Sequence, residues 1–144
     1  MKRSLIVLAA LVAFAGCAKG RNEASAAATA NAAAANPASA SDGAAVYITN
    51  CSSCHQPDGK GLAGAFPPLA GNPLVTGDPV AVITIVKDGL NGSVAVGGHA
   101  YGGIMPAWGA VLGDEQIAAV ITYLRGAWHN HASGVSAGQV AAVK

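Results

Sequence analysis

The sequence has few of the residues that build a large hydrophobic core. Aromatic residues make up 5% and charged residues 10% of its 144 positions. Hydrophobic residues reach 52%, but eleven of the seventeen residues between Ala24 and Ala40 are alanine, which contributes little apolar area. The length allows one small domain with flanking segments and excludes a large enzyme core. A small domain of this composition needs another component to fill its interior.

Basic residues are also scarce, and this limits the choice of partner. Eight Lys and Arg residues stand against seven Asp and Glu residues, for a formal net charge of +1. A domain that binds nucleic acid carries clustered positive charge. The composition therefore predicts no nucleic-acid partner.

The N-terminal apolar run is too short to span a membrane. Residues Leu5–Ala18 form fourteen positions without charge, whereas a spanning helix needs about twenty. Basic residues precede the apolar run Leu5–Ala15, and Gly16–Cys17 follows it, which is the order of a secretory signal. We therefore expect residues 1–16 to be a signal peptide and the protein to be exported in a bacterium.

The end of this leader carries a cysteine of its own. Residues Phe14–Cys17 resemble a bacterial lipoprotein box, and the resemblance implies that Cys17 is acylated and becomes the new N-terminus. Cys51 and Cys54 form a pair that leaves Cys17 over, which favours lipid attachment, and ordinary cleavage nearby is the alternative. Residues 17–41 are then a lipid-anchored, Ala-rich linker. We expect this lipid to hold the domain at the periplasmic face of a membrane.

The strongest chemical signal is the c-type haem attachment pattern Cys51-Ser52-Ser53-Cys54-His55. Two thiols three positions apart on a helical turn reach two vinyl groups of one porphyrin, and His55 follows beneath the iron. The pattern predicts one covalently bound haem c. A disulfide or redox pair is an alternative that does not use His55. A structural zinc site is another, but it needs two more ligands, and the sequence has no second Cys pair.

Methionine is nearly absent, which narrows the choice of the second axial ligand. His and Met are common axial ligands of cytochrome haem iron, and Met105 is the one methionine besides Met1. It lies in the Gly-rich segment Tyr101–Trp108, whose glycines permit close approach to a porphyrin. We predict His55 and Met105 as the iron ligands, with His99 as the alternative to Met105.

From Asp42 to Trp128 the chain resembles a class I cytochrome c. The resemblance rests on the four-residue intervals Gly43, Tyr47 and Cys51, on Phe66-Pro67-Pro68-Leu69 and on Met105-Pro106-Ala107-Trp108. It implies an all-α fold with three or more helices around one haem. The cytochrome domain is placed at residues 42–129, and the tail 130–144 carries too weak a pattern to be assigned.

The same resemblance gives roles to neighbours of the haem. It implies that the carbonyl of Pro68 accepts a hydrogen bond from His55 and so orients the imidazole ring. It places Leu69 against the porphyrin. It also implies that Tyr101 or Trp108 forms a hydrogen bond with a haem propionate.

Apolar spacing and capping residues predict three helices. One runs from Gly43 to Cys51 and is capped by Ser41 or Asp42. A second begins at Asp78-Pro79 and closes near Gly89. The third is capped by Asp114 and presents an apolar face made of Ile117, Val120, Ile121, Leu124 and Trp128. The first and third are expected to cross, with Tyr47 against Tyr123 and Leu124.

Two filled axial positions leave the iron no vacancy for a small-molecule substrate, so its available chemistry is the gain and loss of one electron. We expect a periplasmic cytochrome that passes single electrons between respiratory or dehydrogenase partners. One alternative is a dedicated cytochrome subunit of a membrane dehydrogenase, nitrite reductase or oxidase complex. Another, if Met105 dissociates, is a haem enzyme or gas sensor.

The charge of the predicted domain bears on how those partners dock. Residues 42–128 contain three basic and six acidic residues, a net charge of −3. This predicts apolar, brief and weakly salt-dependent docking. The segment Phe66–Pro73, together with the Gly-rich Met105 loop, resembles cytochrome domains that serve quinoprotein dehydrogenases or copper nitrite reductases.

Overall fold

The computed structural model describes residues 40–144, so the predicted signal peptide, most of the predicted linker and Cys17 lie outside the described residues. The described part is mostly helical, as expected, with one small hairpin in addition. Its elements are α1 (Ala40–Asn50), α2 (Ser52–His55), α3 (Pro73–Thr76), α4 (Pro79–Asp88), β1 (Val94–Val96), β2 (His99–Tyr101), α5 (Asp114–Gly126) and α6 (Ala137–Ala142). None of these helices is long and apolar enough to cross a membrane.

Helices α1 and α5 form the central contact of the fold. They approach so closely at Gly43 that a Cβ atom there would lie 2.0 Å from the carbonyl oxygen of Ala119. Tyr47 is fully buried, and its ring centroid lies 5.6 Å from that of Tyr123 and 5.0 Å from that of Trp128. The predicted crossing of the first and last predicted helices is therefore confirmed.

Helix α4 begins and ends where the sequence predicts. Asp78 Oδ1 accepts a hydrogen bond from the backbone N–H of Val80 at 2.9 Å, and Pro79 is the first helical residue. Gly89 follows the last turn with φ +76°, a conformation that glycine adopts without steric cost.

Two predicted caps are wrong. Gly113, not Asp114, occupies the cap position of α5, because its N–H donates to Gln116 Oε1 at 3.2 Å and Asp114 is already helical. Helix α1 begins at Ala40, so Asp42 lies within its first turn. A carboxylate in the first turn still complements the positive end of a helix.

The hairpin β1–β2 was not predicted. Its strands pair antiparallel, from Val94 opposite Tyr101 to Val96 opposite His99. Gly97 and Gly98 form the turn with φ +58° and +80°, which are the dihedral signs that a two-residue hairpin turn requires. The strands are too short for an alternating pattern to be recognised.

The unassigned tail folds back onto the helices. Val135 and Val140 are buried in the same hydrophobic core as α5, and α6 contacts both α4 and α5. The Ser136 hydroxyl accepts a hydrogen bond from the N–H of Gln139 and so caps α6. Few large apolar residues anchor this segment, which explains why its sequence carries no clear helical period.

Candidate haem site

One apolar cavity of about 320 Å³ collects the predicted cofactor residues. Its volume lies within the about 300–1,000 Å³ that is typical of ligand pockets. Cys51, Cys54, His55 and Met105 all line it, whereas His99 is exposed on β2 and does not. Within residues 40–144, the structure therefore brings the four predicted residues together and separates His99 from them.

The end of α1 positions the first three of these residues. The N–H of Cys51 donates to the carbonyl of Tyr47 at 2.9 Å, which continues the turn of α1. The N–H groups of Cys54 and His55 then donate to the carbonyl of Cys51 at 3.2 and 3.0 Å. Because both bonds close on Cys51, the two thiols and the imidazole lie on one compact turn beside the cavity.

The imidazole of His55 is fixed by Pro67 rather than by Pro68, so the predicted acceptor is wrong by one residue. His55 is buried, and its Nδ1 lies 3.0 Å from the carbonyl oxygen of Pro67. The carbonyl of Pro68 is instead occupied by Asn72, whose Nδ2 donates to it at 2.7 Å. Asn72 is held in turn as the cap of α3, where its Oδ1 accepts from the N–H of Leu74.

This contact decides which ring nitrogen of His55 can bind a metal. A carbonyl only accepts hydrogen bonds, so Nδ1 carries the proton and Nε2 keeps its lone pair. Burial lowers the pKa of His55, although the Pro67 carbonyl acts in the opposite direction. At neutral pH the imidazole is therefore neutral, which is the form that ligates metals.

Cys51 lacks the lowered pKa that is typical of a redox-active cysteine. Cys51 and Cys54 are both free thiols in the structure. Burial, and secondarily the neighbouring Cys54, raises the pKa of the Cys51 thiol to about 11, whereas redox-active cysteines have a lowered pKa. The zinc alternative also lacks ligands, because no group of three or more His, Cys, Asp or Glu side chains in residues 40–144 is arranged to hold a metal ion.

The segment that carries Met105 is attached to the end of α4 by backbone hydrogen bonds. Met105 and Leu90 exchange N–H···O bonds of 2.9 Å in both directions. Gly89 makes this approach possible, because a Cβ there would lie 2.5 Å from the carbonyl oxygen of Met105. The neighbouring Ile104 is 70% exposed at the mouth of the cavity. Met105 therefore lies on a non-helical segment at the molecular surface.

The rest of the cavity lining is mostly apolar. Leu69, Tyr101 and Trp108 line it as the resemblance implied, and contact between a propionate and either aromatic residue stays a prediction. The other apolar side chains come from several elements: Phe66, Leu74, Val75, Val82, Ile85, Val86, Leu90, Val94, Val96, Leu112, Val120 and Leu124. Apolar walls, two thiols, one imidazole and one thioether are the groups that a covalent haem requires.

The buried side-chain amide of Asn130, which the sequence did not indicate, links separate backbone segments by hydrogen bonds. Asn130 is 2% exposed. Its Nδ2 donates to the carbonyls of Leu69 and Leu124 at 3.0 and 2.7 Å, and its Oδ1 accepts from the N–H of Gly71 at 2.8 Å. All of its hydrogen-bonding partners are backbone atoms, so no residue pair in the sequence could have pointed to it.

Arg125, which lies on α5, also links separate backbone segments by hydrogen bonds. Its guanidinium is buried and donates to the carbonyls of Val75 and Gly77 at 2.7 and 3.0 Å. Its Nε donates to the carbonyl of Ser133 at 2.6 Å. Arg125 thus links α3 and the C-terminal segment to α5, and three carbonyls offset part of the cost of burying its charge.

Comparison with known proteins places this site in a family. A sequence-family model described as cytochrome c oxidase, cbb3-type, subunit III matches residues 38–124. Cytochrome c-552 of Thermus thermophilus is 42% identical over 91 residues, which cover 60% of this chain and 68% of the relative. The chain belongs to this family of c-type cytochromes. Its cofactor is haem c, and its function is electron transfer, as the sequence predicted.

Two further c-type cytochromes are similar to the chain over part of their own length. The cytochrome c subunit of alcohol dehydrogenase (quinone) from Gluconobacter oxydans (strain 621H) is 41% identical over 101 residues, which cover 68% of this cytochrome but 21% of the subunit. Among solved structures, the c-type cytochrome XoxG from Methylobacterium extorquens AM1 aligns with a TM-score of 0.45 and 25% sequence identity, covering 66% of this chain and 56% of its own. The cytochrome thus matches only part of either protein.

Proposed function

We propose that Cys51 and Cys54 hold the haem through thioether bonds and that His55 and Met105 are its axial ligands. The observation that supports this most directly is that all four side chains line one apolar cavity. Each thioether forms when a thiol S–H adds across a vinyl double bond, so attachment consumes no oxidant. The bound haem iron supplies a one-electron couple.

The residues around the cavity determine which oxidation state is favoured. The Pro67 carbonyl accepts the hydrogen bond of His55 Nδ1, which would leave Nε2 free to bind the haem iron. The Met105 thioether is a soft donor, and Met/His ligation raises the reduction potential in cytochromes c. Apolar walls disfavour the additional positive charge of the ferric state. We therefore expect a comparatively high potential.

We propose that the cytochrome acts as an electron carrier and not as a catalyst, because ligation by both His55 and Met105 would leave the iron no open position for a substrate. Voltammetry of the purified holoprotein tests this assignment. We expect one reversible voltammetric wave whose shape corresponds to the transfer of one electron. We also expect no binding of carbon monoxide by the reduced protein at neutral pH. Carbon monoxide binding to the unaltered protein would favour the alternative of a gas sensor or enzyme.

A second candidate is a dedicated subunit of a dehydrogenase complex. It is favoured by the 41% identity with the cytochrome c subunit of a quinone-dependent alcohol dehydrogenase. Extraction in mild detergent followed by size-exclusion chromatography separates the two candidates. A free carrier elutes alone, whereas a subunit elutes with a dehydrogenase or an oxidase in fixed ratio.

We further propose export to the periplasmic face of a membrane, with residues 1–16 as the signal peptide and Cys17 as the acylated N-terminus of the linker 17–41. The order of basic, apolar and small residues before Cys17 supports the proposal. The intact mass of the membrane-extracted protein tests cleavage and acylation together. We expect Cys17→Ser to move the cytochrome from the membrane fraction to the soluble fraction, and an unchanged distribution would contradict the lipid.

The partners that exchange electrons with the cytochrome are redox proteins, and we propose that they dock at the mouth of the cavity. Exposed Ile104 lies there beside Met105. Because residues 42–128 carry a net charge of −3 without a basic patch, we expect the rate of electron exchange to depend weakly on ionic strength. Stopped-flow measurements over a range of salt concentrations test this expectation.

A further inference from the structure

The ammonium group of Lys87 is bonded to the C-terminal end of α6. Its Nζ donates to the carbonyl of Val140 at 3.2 Å and also to the carbonyl of Val143. The last carbonyls of a helix have no partner within the helix, and a lysine side chain is one of the groups that satisfy them. Lys87 therefore fastens the C-terminal segment to the last turn of α4.

The backbone of Lys87 supports the segment that carries Met105. Its carbonyl accepts a hydrogen bond from the N–H of Gly109 at 3.0 Å, and the carbonyl of Val86 accepts one from Trp108 at the same distance. A Cβ at Gly109 would lie 3.1 Å from the carbonyl oxygen of Lys87 and 3.4 Å from its Cβ. The segment 105–109 is thus in direct contact with Lys87, the residue whose side chain binds the end of α6.

We propose that Lys87 is a positioning residue for the methionine ligand. By tying α6 to the end of α4, it restricts movement of that end and of the segment 105–109 bonded to it, and so keeps Met105 at the cavity. The family model matches residues 38–124, so α6 is a feature of this chain beyond the matched region. The inference rests on the proposed ligation of iron by Met105.

Thr122 provides a matched control. Its hydroxyl makes two hydrogen bonds with Val135, accepting from the N–H at 3.0 Å and donating to the carbonyl at 3.2 Å. Thr122 lies on α5, so these bonds hold the same C-terminal segment to a different helix. Thr122→Val and Lys87→Met each remove two hydrogen bonds to that segment. Of these two residues, however, Lys87 alone also accepts a backbone hydrogen bond from the segment 105–109.

The experiment compares the full-length ferric holoproteins of the wild type, Lys87→Met, Lys87→Arg and Thr122→Val. Imidazole added to the solution competes with Met105 for the iron, so its apparent affinity rises with the fraction of molecules in which Met105 has left. We expect Lys87→Met to bind imidazole at least about fivefold more tightly than the wild type, and Thr122→Val within about twofold of it. Lys87→Arg keeps the donors and is expected to restore the wild-type affinity.

Thermal unfolding and the sulfur-to-iron charge-transfer band are measured on the same samples. We expect Lys87→Met and Thr122→Val to lower the unfolding midpoint similarly, while only Lys87→Met weakens the band. If Lys87→Met does not fold, Lys87→Gln replaces it with the same expectation. Equal imidazole affinities of Lys87→Met and Thr122→Val would overturn the inference about Lys87 but not the ligation of iron by Met105. Absence of the band from the wild type would overturn the ligation by Met105 together with it.

Discussion

Two walls of the haem cavity hold the proposed iron ligands in different ways. The histidine wall, made of residues 51–55 and Pro67, includes a single turn that continues α1, and the imidazole of His55 is fixed by one hydrogen bond to Pro67. The methionine wall, made of residues 101–109, is a glycine-rich segment that depends on backbone bonds to the end of α4. His55 is 8% exposed, whereas Ile104 beside Met105 is 70% exposed.

This difference means that the two ligands depend on different parts of the fold. Residues close in sequence place the thiols and His55, and the α1–α5 contact secures them. Met105 lies fifty residues after His55 and reaches the cavity only when α4 is in place. We therefore expect damage to the histidine wall to remove the cofactor and the fold together. Damage to the methionine wall should open the iron and leave the haem attached.

The largest effect is expected from Cys51→Ala combined with Cys54→Ala. Without either thiol no thioether forms, and the apolar cavity loses the group that fills it. We expect almost complete loss of covalently bound haem and of folded protein, measured by denaturing-gel haem staining and by circular dichroism. Ser53→Ala, an exposed position between the two cysteines, is the control and should retain haem. A stably folded double variant without haem would contradict the comparison.

The next largest effect is expected at Gly43. Because a Cβ there would lie 2.0 Å from the carbonyl oxygen of Ala119, Gly43→Ala must push α1 away from α5. We expect it to lower the free energy of unfolding by at least about 2 kcal/mol. In the methionine wall, a Cβ added at Gly102 would meet no atom within 4 Å apart from those of its chain neighbours, so Gly102→Ala should change the free energy of unfolding by less than about 0.5 kcal/mol. Chemical denaturation of both holoproteins measures the contrast, and equal losses would show that the α1–α5 contact supporting the histidine wall tolerates a Cβ as well as the methionine wall does.

Met105→Ala tests the methionine wall itself. We expect the variant to keep its haem, to lose the sulfur-to-iron charge-transfer band, to bind carbon monoxide when reduced, and to have a lower reduction potential. Absorption spectra and voltammetry measure these changes. Ile104→Ala removes an apolar side chain from the same segment and should leave the band intact. An unchanged band in Met105→Ala would show that another residue is the ligand.

The smallest effect is expected from Tyr47→Phe in the histidine wall's supporting helix. The Tyr47 hydroxyl donates to the carbonyl of Gln56, next to His55, and its loss should cost about 1 kcal/mol. Burial raises the pKa of Tyr47 above its ordinary value of 10.0. Above pH 10 the unfolded chain therefore ionises before the folded one, so the wild type loses stability as pH rises. Alkaline unfolding should be less steep in Tyr47→Phe, and an identical pH dependence would contradict this cause.

How much of this could be predicted from the sequence depends on whether the signal is local. The spacing of Cys51, Cys54 and His55 and the scarcity of methionine were enough to predict these three residues and Met105 as haem-binding residues. All four line the cavity. The acceptor for His55 was placed at Pro68 instead of Pro67, because adjacent prolines give no indication of which carbonyl faces the ring. Membership of the family supported the predicted fold and haem but leaves the ligand roles as proposals.

Hydrogen bonds between side chains and distant backbone atoms could not be predicted at all. Asn130 and Arg125 bond only to carbonyls and N–H groups of other segments, and backbone groups are the same at every position of a sequence. The tail 130–144 failed to show a helical period because two valines, Val135 and Val140, provide its fully buried apolar contacts. Nothing in the sequence indicates that Lys87 binds α6, because its acceptors are the backbone carbonyls of Val140 and Val143.

The mass of the tryptic peptide that ends at Lys60 tests the central claim most directly. This peptide contains Cys51, Cys54 and His55, and the account predicts that in the protein purified from its native host it carries one haem that survives denaturation. A peptide with two free thiols, or one lighter by two hydrogen atoms because the cysteines form a disulfide, would contradict the claim.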